Sequence, residues 1–319
     1  MADLPLRRVF ANASVLAYGC MNIGGTWDAG EIDSATQAGA DLALDAAIEA
    51  GINVFDHADI YCRGKSEAVF GDWLRRRSIE RESLWIQSKA GIELGNGSVP
   101  YQYRLTPERV RGHLELSLKR LGVDYLDAWM VHRPDPLADL RAVADELLGL
   151  RNEGKLRFFG VSNMPVYQLR PWEKLLGPQL LAQQEMSLAR LEWLDGSADF
   201  NTESSARSDA AALTAYAKER EDLQLQAWGS SAQRLLRPDV PSRTSDALRQ
   251  AISEMAERYE ATQEALALAF LLRHPAAIQP LIGTTRPERI RACAESTGIA
   301  LERDDWYSLY SAARVKALP

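Results

Sequence analysis

The sequence predicts an α/β fold, a single-domain (β/α)8 TIM barrel spanning residues 1–319, on three observations. Short apolar runs alternate with amphipathic segments of helical period, the mark of βα units around a parallel sheet. About eight such units follow one another, the number that closes a barrel. No GxGxxG follows an early strand, as an open doubly wound sheet would favour, and no Gly/Ser linker or charge block marks a second domain.

The candidate strands, short and apolar, are SVLAYG (14–19), INVFD (52–56), SLWIQSK (83–89) and YLDAWMVH (125–132) in the first half. LRFFGVS (156–162), LLAQQEM (180–186), LQLQAWG (223–229) and IQPLIG (278–283) complete the set. Between the third and fourth lies TPERVRGHLELSLKRLG, with Thr106 as N-cap, Pro107 at the first helical position and Gly122 at the stop. The next connection, LADLRAVADELLGLRNEGK, ends the same way on Gly154. The longest poorly patterned stretches, about 188–207 and 230–245, follow the sixth and seventh strands. In a barrel such loops lie on the active face, so they are expected to cover substrate or cofactor.

Hydrophobic residues make up 46% and charged residues 25% of the chain, a globular balance that excludes disorder and fibrous structure. A formal net charge of -7 argues against a nucleic-acid or anionic-membrane surface, both of which need a basic patch. The N-terminal MADLPLRRVFANASVLAYGC lacks a continuous apolar h-region, and no run of about 18 apolar residues occurs, so an unexported, cytoplasmic protein is expected. Cys20, Cys62 and Cys293 are odd in number with no CxxC, which suggests neither a disulfide framework nor a zinc site. His57, His113, His132 and His274 show no HExxH spacing, and no metal is expected.

The segment NVFDHADIY (53–61) runs from a buried strand straight into titratable chemistry. Asp56 and Tyr61 follow the second strand, Lys89 closes the third and His132 closes the fourth. Taken singly, these read as a turn aspartate, a packed tyrosine, a surface lysine and a turn histidine. Together they fall at one end of three adjacent strands, and in a barrel that end is the catalytic face.

This constellation resembles the tetrad of the aldo-keto reductase superfamily: an Asp five residues before a Tyr, a Lys ending the next strand and a His ending the one after. The strings HADIY and HRPDP are further similar to its YdhF-like bacterial branch, and the resemblance covers nearly the whole chain. It implies NADPH/NADP+ as cofactor and a small-molecule carbonyl as substrate. It also implies that Ser162 and Asn163 of GVSN, with Gln184 of AQQEM, hold the nicotinamide carboxamide, and that Trp228 of QAWGSS stacks on the ring. Gly19, Met21, Asp56, Gly229 and Ser230 are further implied cofactor contacts. In IGTTRPERIR, Gly283, Thr284, Thr285 and Arg289, helped by Arg286, match the 2′-phosphate site, where helix N–H groups and guanidinium groups favour an anion. GSSAQRLL departs from the PLGxG loop of many relatives, and Ala292 and Cys293 stand where Glu and Asn often approach the adenine.

The implied reaction delivers a hydride to a carbonyl carbon and a proton to its oxygen. Tyr61 would be the acid; a phenol titrates near 10, so a cationic Lys89, oriented by Asp56, is expected to lower its pKa. His132 would polarise the carbonyl oxygen. His57 is expected to pack, Asp59 lies outside the tetrad, and Cys62 is expected to be packed. Two other readings are a cofactor-bound sensor or regulatory subunit with slow turnover, and a metal-dependent barrel hydrolase, for which the chain offers few ligands.

Overall fold

The computed structural model describes residues 3–178, 181–199, 209–232, 246–314 and 318–319. Eight parallel strands close into a barrel: β1 (Ala17–Gly19), β2 (Val54–Asp56), β3 (Trp85–Ala90), β4 (Leu126–Val131), β5 (Leu156–Ser162), β6 (Leu181–Glu185), β7 (Gln224–Trp228) and β8 (Gln279–Ile282). Each strand pairs with the next in the chain, and β1 closes on β8, with Ala17 opposite Leu281 and Tyr18 opposite Ile282. The expected (β/α)8 barrel is therefore present, with every candidate strand in place; β5 keeps its expected bounds, β3 runs one residue further to Ala90, and the others are trimmed.

Strand alternation divides the apolar residues into two bodies. The larger lies between the strands and the helices and includes Trp73, Leu114, Leu147, Trp172 and Phe270. The smaller gathers Leu6, Ala17, Val54, Trp85, Ala128, Met130, Leu181 and Leu281 inside the barrel. A 3-10 turn, Pro5–Arg8, brings Leu6 into that interior, where its N–H donates to Gln224 Oε1 at 3.3 Å. Trp85 stacks against Phe158 with ring centroids 5.7 Å apart. Gly160 on β5 is required by packing: a Cβ there would stand 2.6 Å from Met130 Cγ and 2.9 Å from the Leu181 carbonyl.

The helix Pro107–Leu121 starts where Thr106 Oγ1 accepts from the Arg109 N–H and stops at Gly122, whose φ is +67°. Helix Leu140–Asn152 starts later than its sequence pattern, because Asp139 Oδ1 accepts from the Arg141 and Ala142 N–H groups at 3.0 and 3.1 Å. A short antiparallel ribbon, Ile92–Glu93 with Gln102–Tyr103, extends from the end of β3. Of the loops expected to cover the site, 200–207 and 233–245 lie outside the described residues. The rest of the first folds as helix Glu192–Ala198, anchored by Trp193 against Phe270 and His274. Among the described residues no helix is long and apolar enough to cross a membrane.

Candidate active site

The mouth of the barrel is built where β2 and β3 end side by side. Asp56 closes β2 and is buried, and its two oxygens each accept from Lys89 Nζ at 2.7 Å. Lys89 also donates to the His57 carbonyl at 2.8 Å, so its three N–H donors have fixed partners. The chain after β2 keeps pairing with β3 through His57 N–H to Gln87 O at 2.8 Å and Asp59 N–H to Lys89 O at 3.0 Å.

Tyr61 comes next, and then Cys62, Arg63 and Gly64 all take positive φ, +47°, +59° and +88°. Left-handed backbone costs a non-glycine residue roughly 1–2 kcal/mol, so this turn has to be held. The Cys62 thiol points at the Met21 and Gly25 carbonyls at 3.2 and 3.3 Å, and Arg63 Nε donates to the Trp27 carbonyl at 2.7 Å. The turn sets the half-buried Tyr61 with its ring centroid 5.1 Å from Lys89 Nζ and edge-on to the His132 ring at 6.1 Å. Asp56, Tyr61, Lys89 and His132 thus stand together at one mouth.

Burial pushes the Tyr61 phenol up to about 12, and Lys89 offsets only part of this. This corrects the expectation that the lysine leaves Tyr61 below its usual value: desolvation wins over the nearby cation. Burial opposes the charge on Lys89 too, yet Asp56 and Tyr61 raise its pKa above the usual lysine value. Burial first, then the Lys89 and Arg133 cations, hold His132 well below the histidine range, so it is neutral at pH 7. Its Nδ1 is buried without a partner. A neutral phenol and a neutral imidazole, each with one proton to donate, therefore stand beside a fixed ammonium.

Asn163, at φ +57°, ties the next group together; asparagine tolerates this conformation better than most residues. Its Nδ2 donates to Ser162 Oγ at 2.8 Å and to the His132 carbonyl at 3.3 Å, and its Oδ1 accepts from Trp228 Nε1 at 3.0 Å. Gln184 is not brought to the mouth. Its amide donates outward, to Ala210 O at 3.2 Å and Thr214 Oγ1 at 3.3 Å on helix Asp209–Glu219. Alternation along β6 turns Gln183 inward instead, where it donates to Asp56 Oδ1 at 2.7 Å. Sequence reasoning missed Gln183, although it shares parity with the interior residue Leu181.

Gly19 lies opposite Asp56 across the β1–β2 pair, and exposed Met21 follows it. Gly229 has φ +67°, and buried Ser230 donates to the Leu281 carbonyl at 2.7 Å. Beyond β8, the Gly283 carbonyl accepts from Asn22 Nδ2 at 3.0 Å and the Thr284 carbonyl from the Tyr18 hydroxyl at 3.0 Å. Exposed Thr285 and Arg286 lead into helix Pro287–Ala294, which has no side-chain cap at its N-terminus. Arg286 pairs with Glu288 at 2.6 Å, and Arg289 Nη2 with Glu264 at 2.9 Å, while Arg289 Nε is buried without a partner. Cys293 turns into the core, away from the adenine position the resemblance implies for it.

The extra ionisable groups have other partners. His57 is sealed, its ring 4.6 Å from Phe70, both nitrogens without hydrogen bonds and its pKa pushed down to about 3 by burial. Asp59 faces His113 at 2.8 Å. Among the described residues no group of three or more His, Cys, Asp or Glu side chains could hold a metal ion.

Residues 15–314 of this barrel match the Aldo/keto reductase family, and the chain belongs to that family of oxidoreductases. It is 31% identical to the 6-dehydroglucose reductase of Novosphingobium aromaticivorans over 328 residues, covering 100% of both chains. It is likewise 31% identical over 273 residues to Oxidoreductase YdhF of Escherichia coli, covering 83% of this chain and 84% of the other. Among solved structures, an aldo-keto reductase from Klebsiella pneumoniae in complex with NADPH superposes with a TM-score of 0.72 at 22% identity, covering 96% of this chain and 95% of that one.

Proposed function

We propose that this oxidoreductase reduces aldehyde or ketone carbonyls to alcohols with NADPH, Tyr61 acting as general acid. The observation that carries the reading is the buried Asp56–Lys89 pair set beside a protonated Tyr61 and a neutral His132. When bound, the cofactor would supply a hydride to the carbonyl carbon. Negative charge then builds on the carbonyl oxygen, and the Tyr61 hydroxyl and a His132 N–H are the donors placed to meet it. A phenol near 12 keeps its proton throughout the neutral range, so the acid form is present before reaction. Lys89 stabilises the phenolate left when the proton departs, and Asp56 keeps Lys89 in place.

Ser162, Asn163 and Trp228 would hold the nicotinamide end. Gly283, Thr284, Thr285 and Arg289, with Arg286, would hold the 2′-phosphate. The uncapped start of helix Pro287–Ala294 and the unpartnered Arg289 Nε fit an anion there. The test is NADPH oxidation with a panel of aldehydes, ketones and quinones that includes 6-dehydroglucose, run on the wild type and Tyr61→Phe. The variant should bind NADPH normally and lose ~10²–10⁴-fold in kcat. A Tyr61→Phe enzyme that keeps most of its kcat removes Tyr61 as the acid, and a wild type that binds NADPH without turning over the panel favours the sensor reading.

A further inference from the structure

The interior of a (β/α)8 barrel is normally filled by branched apolar side chains. Beneath the tetrad this barrel instead carries an amide chain: Gln87 on β3, Gln183 on β6, Gln226 on β7 and Gln279 on β8, all fully buried or nearly so. The primary amide has two N–H donors in a planar fork. Gln87 and Gln183 use theirs identically, each placing one on Asp56 Oδ1 at 2.7 Å and the other on Gln226 Oε1 at 2.8 Å. Gln226 Nε2 donates to Gln279 Oε1 at 2.8 Å, and Gln279 Nε2 to the Ser14 carbonyl at 2.8 Å. Both ends of this chain are acceptors, a backbone carbonyl below and the lysine-paired carboxylate above, so the direction of every amide between them is fixed.

We infer that Gln226 is a positioning residue. It hydrogen-bonds to neither Asp56 nor Lys89, but its one oxygen locks both amides that grip Asp56 and so sets where the Lys89 ammonium stands relative to Tyr61. Buried amides cost desolvation that apolar side chains of the same size do not, and such departures from core composition concentrate where a site needs them. The same strand supplies a control. Gln224, one inward position below, spends its amide on the Leu225 and Ala277 carbonyls and the Leu6 N–H, with no connection to Asp56.

The inference rests on Tyr61 being the acid that Lys89 tunes. Gln226→Met keeps length and packing and deletes both amide functions; Gln279→Met, one link further, serves if the first does not fold. With NADPH and one reactive aldehyde, Gln226→Met should lose ~10- to 100-fold in kcat, since small displacements of a catalytic group have such effects. The loss should fall on kcat, with the KM for the aldehyde and the affinity for NADPH unchanged. Gln224→Met should keep the wild-type kcat. If Gln226→Met keeps kcat within about twofold of wild type, or loses no more than Gln224→Met does, the inference falls while the function stands. Full activity in Tyr61→Phe, measured alongside, brings down the functional reading itself.

Discussion

On the outer face of the strands, Trp73, Leu147, Trp172 and Phe270 pack among other apolar side chains. On the inner face of the same strands a smaller apolar cluster shares its space with Asp56, Lys89 and the glutamines of β3, β6, β7 and β8. The two faces alternate residue by residue, as in β3, where Trp85, Gln87 and Lys89 point in while Ile86 and Ala90 point out. One sheet can thus carry its stability on one side and its chemistry on the other. Substitutions should then separate by face.

The largest effect should come from the inner face. Lys89→Met leaves the Asp56 carboxylate buried without its counter-charge, which should cost about 3–5 kcal/mol of stability. It should also lower kcat by ~10²–10⁴-fold through the proton donor it no longer tunes. On the proposed mechanism Lys89 and Tyr61 deliver one proton as a unit, so the double variant with Tyr61→Phe should be little slower than the worse single one; additive losses would separate their roles. On the outer face, Leu147→Ala in helix Leu140–Asn152 should cost about 2–5 kcal/mol by urea denaturation and leave kcat near wild type below the transition. A matching loss of kcat in the folded variant would break the division between the faces.

Smaller effects sharpen it. Arg289→Ala should weaken NADPH binding by ~1.5–3 kcal/mol, ten- to a hundred-fold, with little change for NADH. Equal losses for both cofactors would detach Arg289 from the 2′-phosphate. His57 gives a pH test. Its folded pKa of about 3 lies below the unfolded value near 6.5, so the unfolded chain takes the proton first and stability is lost as pH falls through that window. Between pH 6.5 and 5 this amounts to about 1.6 kcal/mol, since the unfolded imidazole is only half protonated at the top of the window. His132 and His274 are shifted in the same direction, and His113, raised by Asp59, in the opposite one. His57→Leu should fold and flatten the acid decline of unfolding free energy by that amount; an unchanged decline would assign it to the other histidines.

Much of this architecture was legible in the residues. The strands announce themselves as short apolar runs between amphipathic segments, and Asp56, Tyr61, Lys89 and His132 stand out because ionisable groups end runs that ought to be buried. The interior glutamines escaped because LQLQAW reads as an alternating strand whose apolar face should point inward, whereas here Leu225 belongs to the outer body. The same parity exchanged Gln183 for Gln184. The left-handed turn at Cys62 and Arg63 left no signal, since neither residue type prefers positive φ. Nor could residue types alone show that burial outweighs the lysine in setting the Tyr61 pKa, because that balance depends on how far the phenol is removed from water.

The closure of β1 on β8 has a consequence for how the molecule is made. Ala17 leaves the ribosome roughly 15 to 50 s ahead of its partner Leu281 at ordinary elongation rates. Throughout that interval the nascent chain holds an open sheet with an unpaired first edge, a surface that chaperones and stray strands can engage. The amide chain that grips Asp56 also draws on β7 and β8, the last strands to emerge. Catalytic competence therefore arrives with the final strand, and the onset of activity during translation would time the sealing of the barrel.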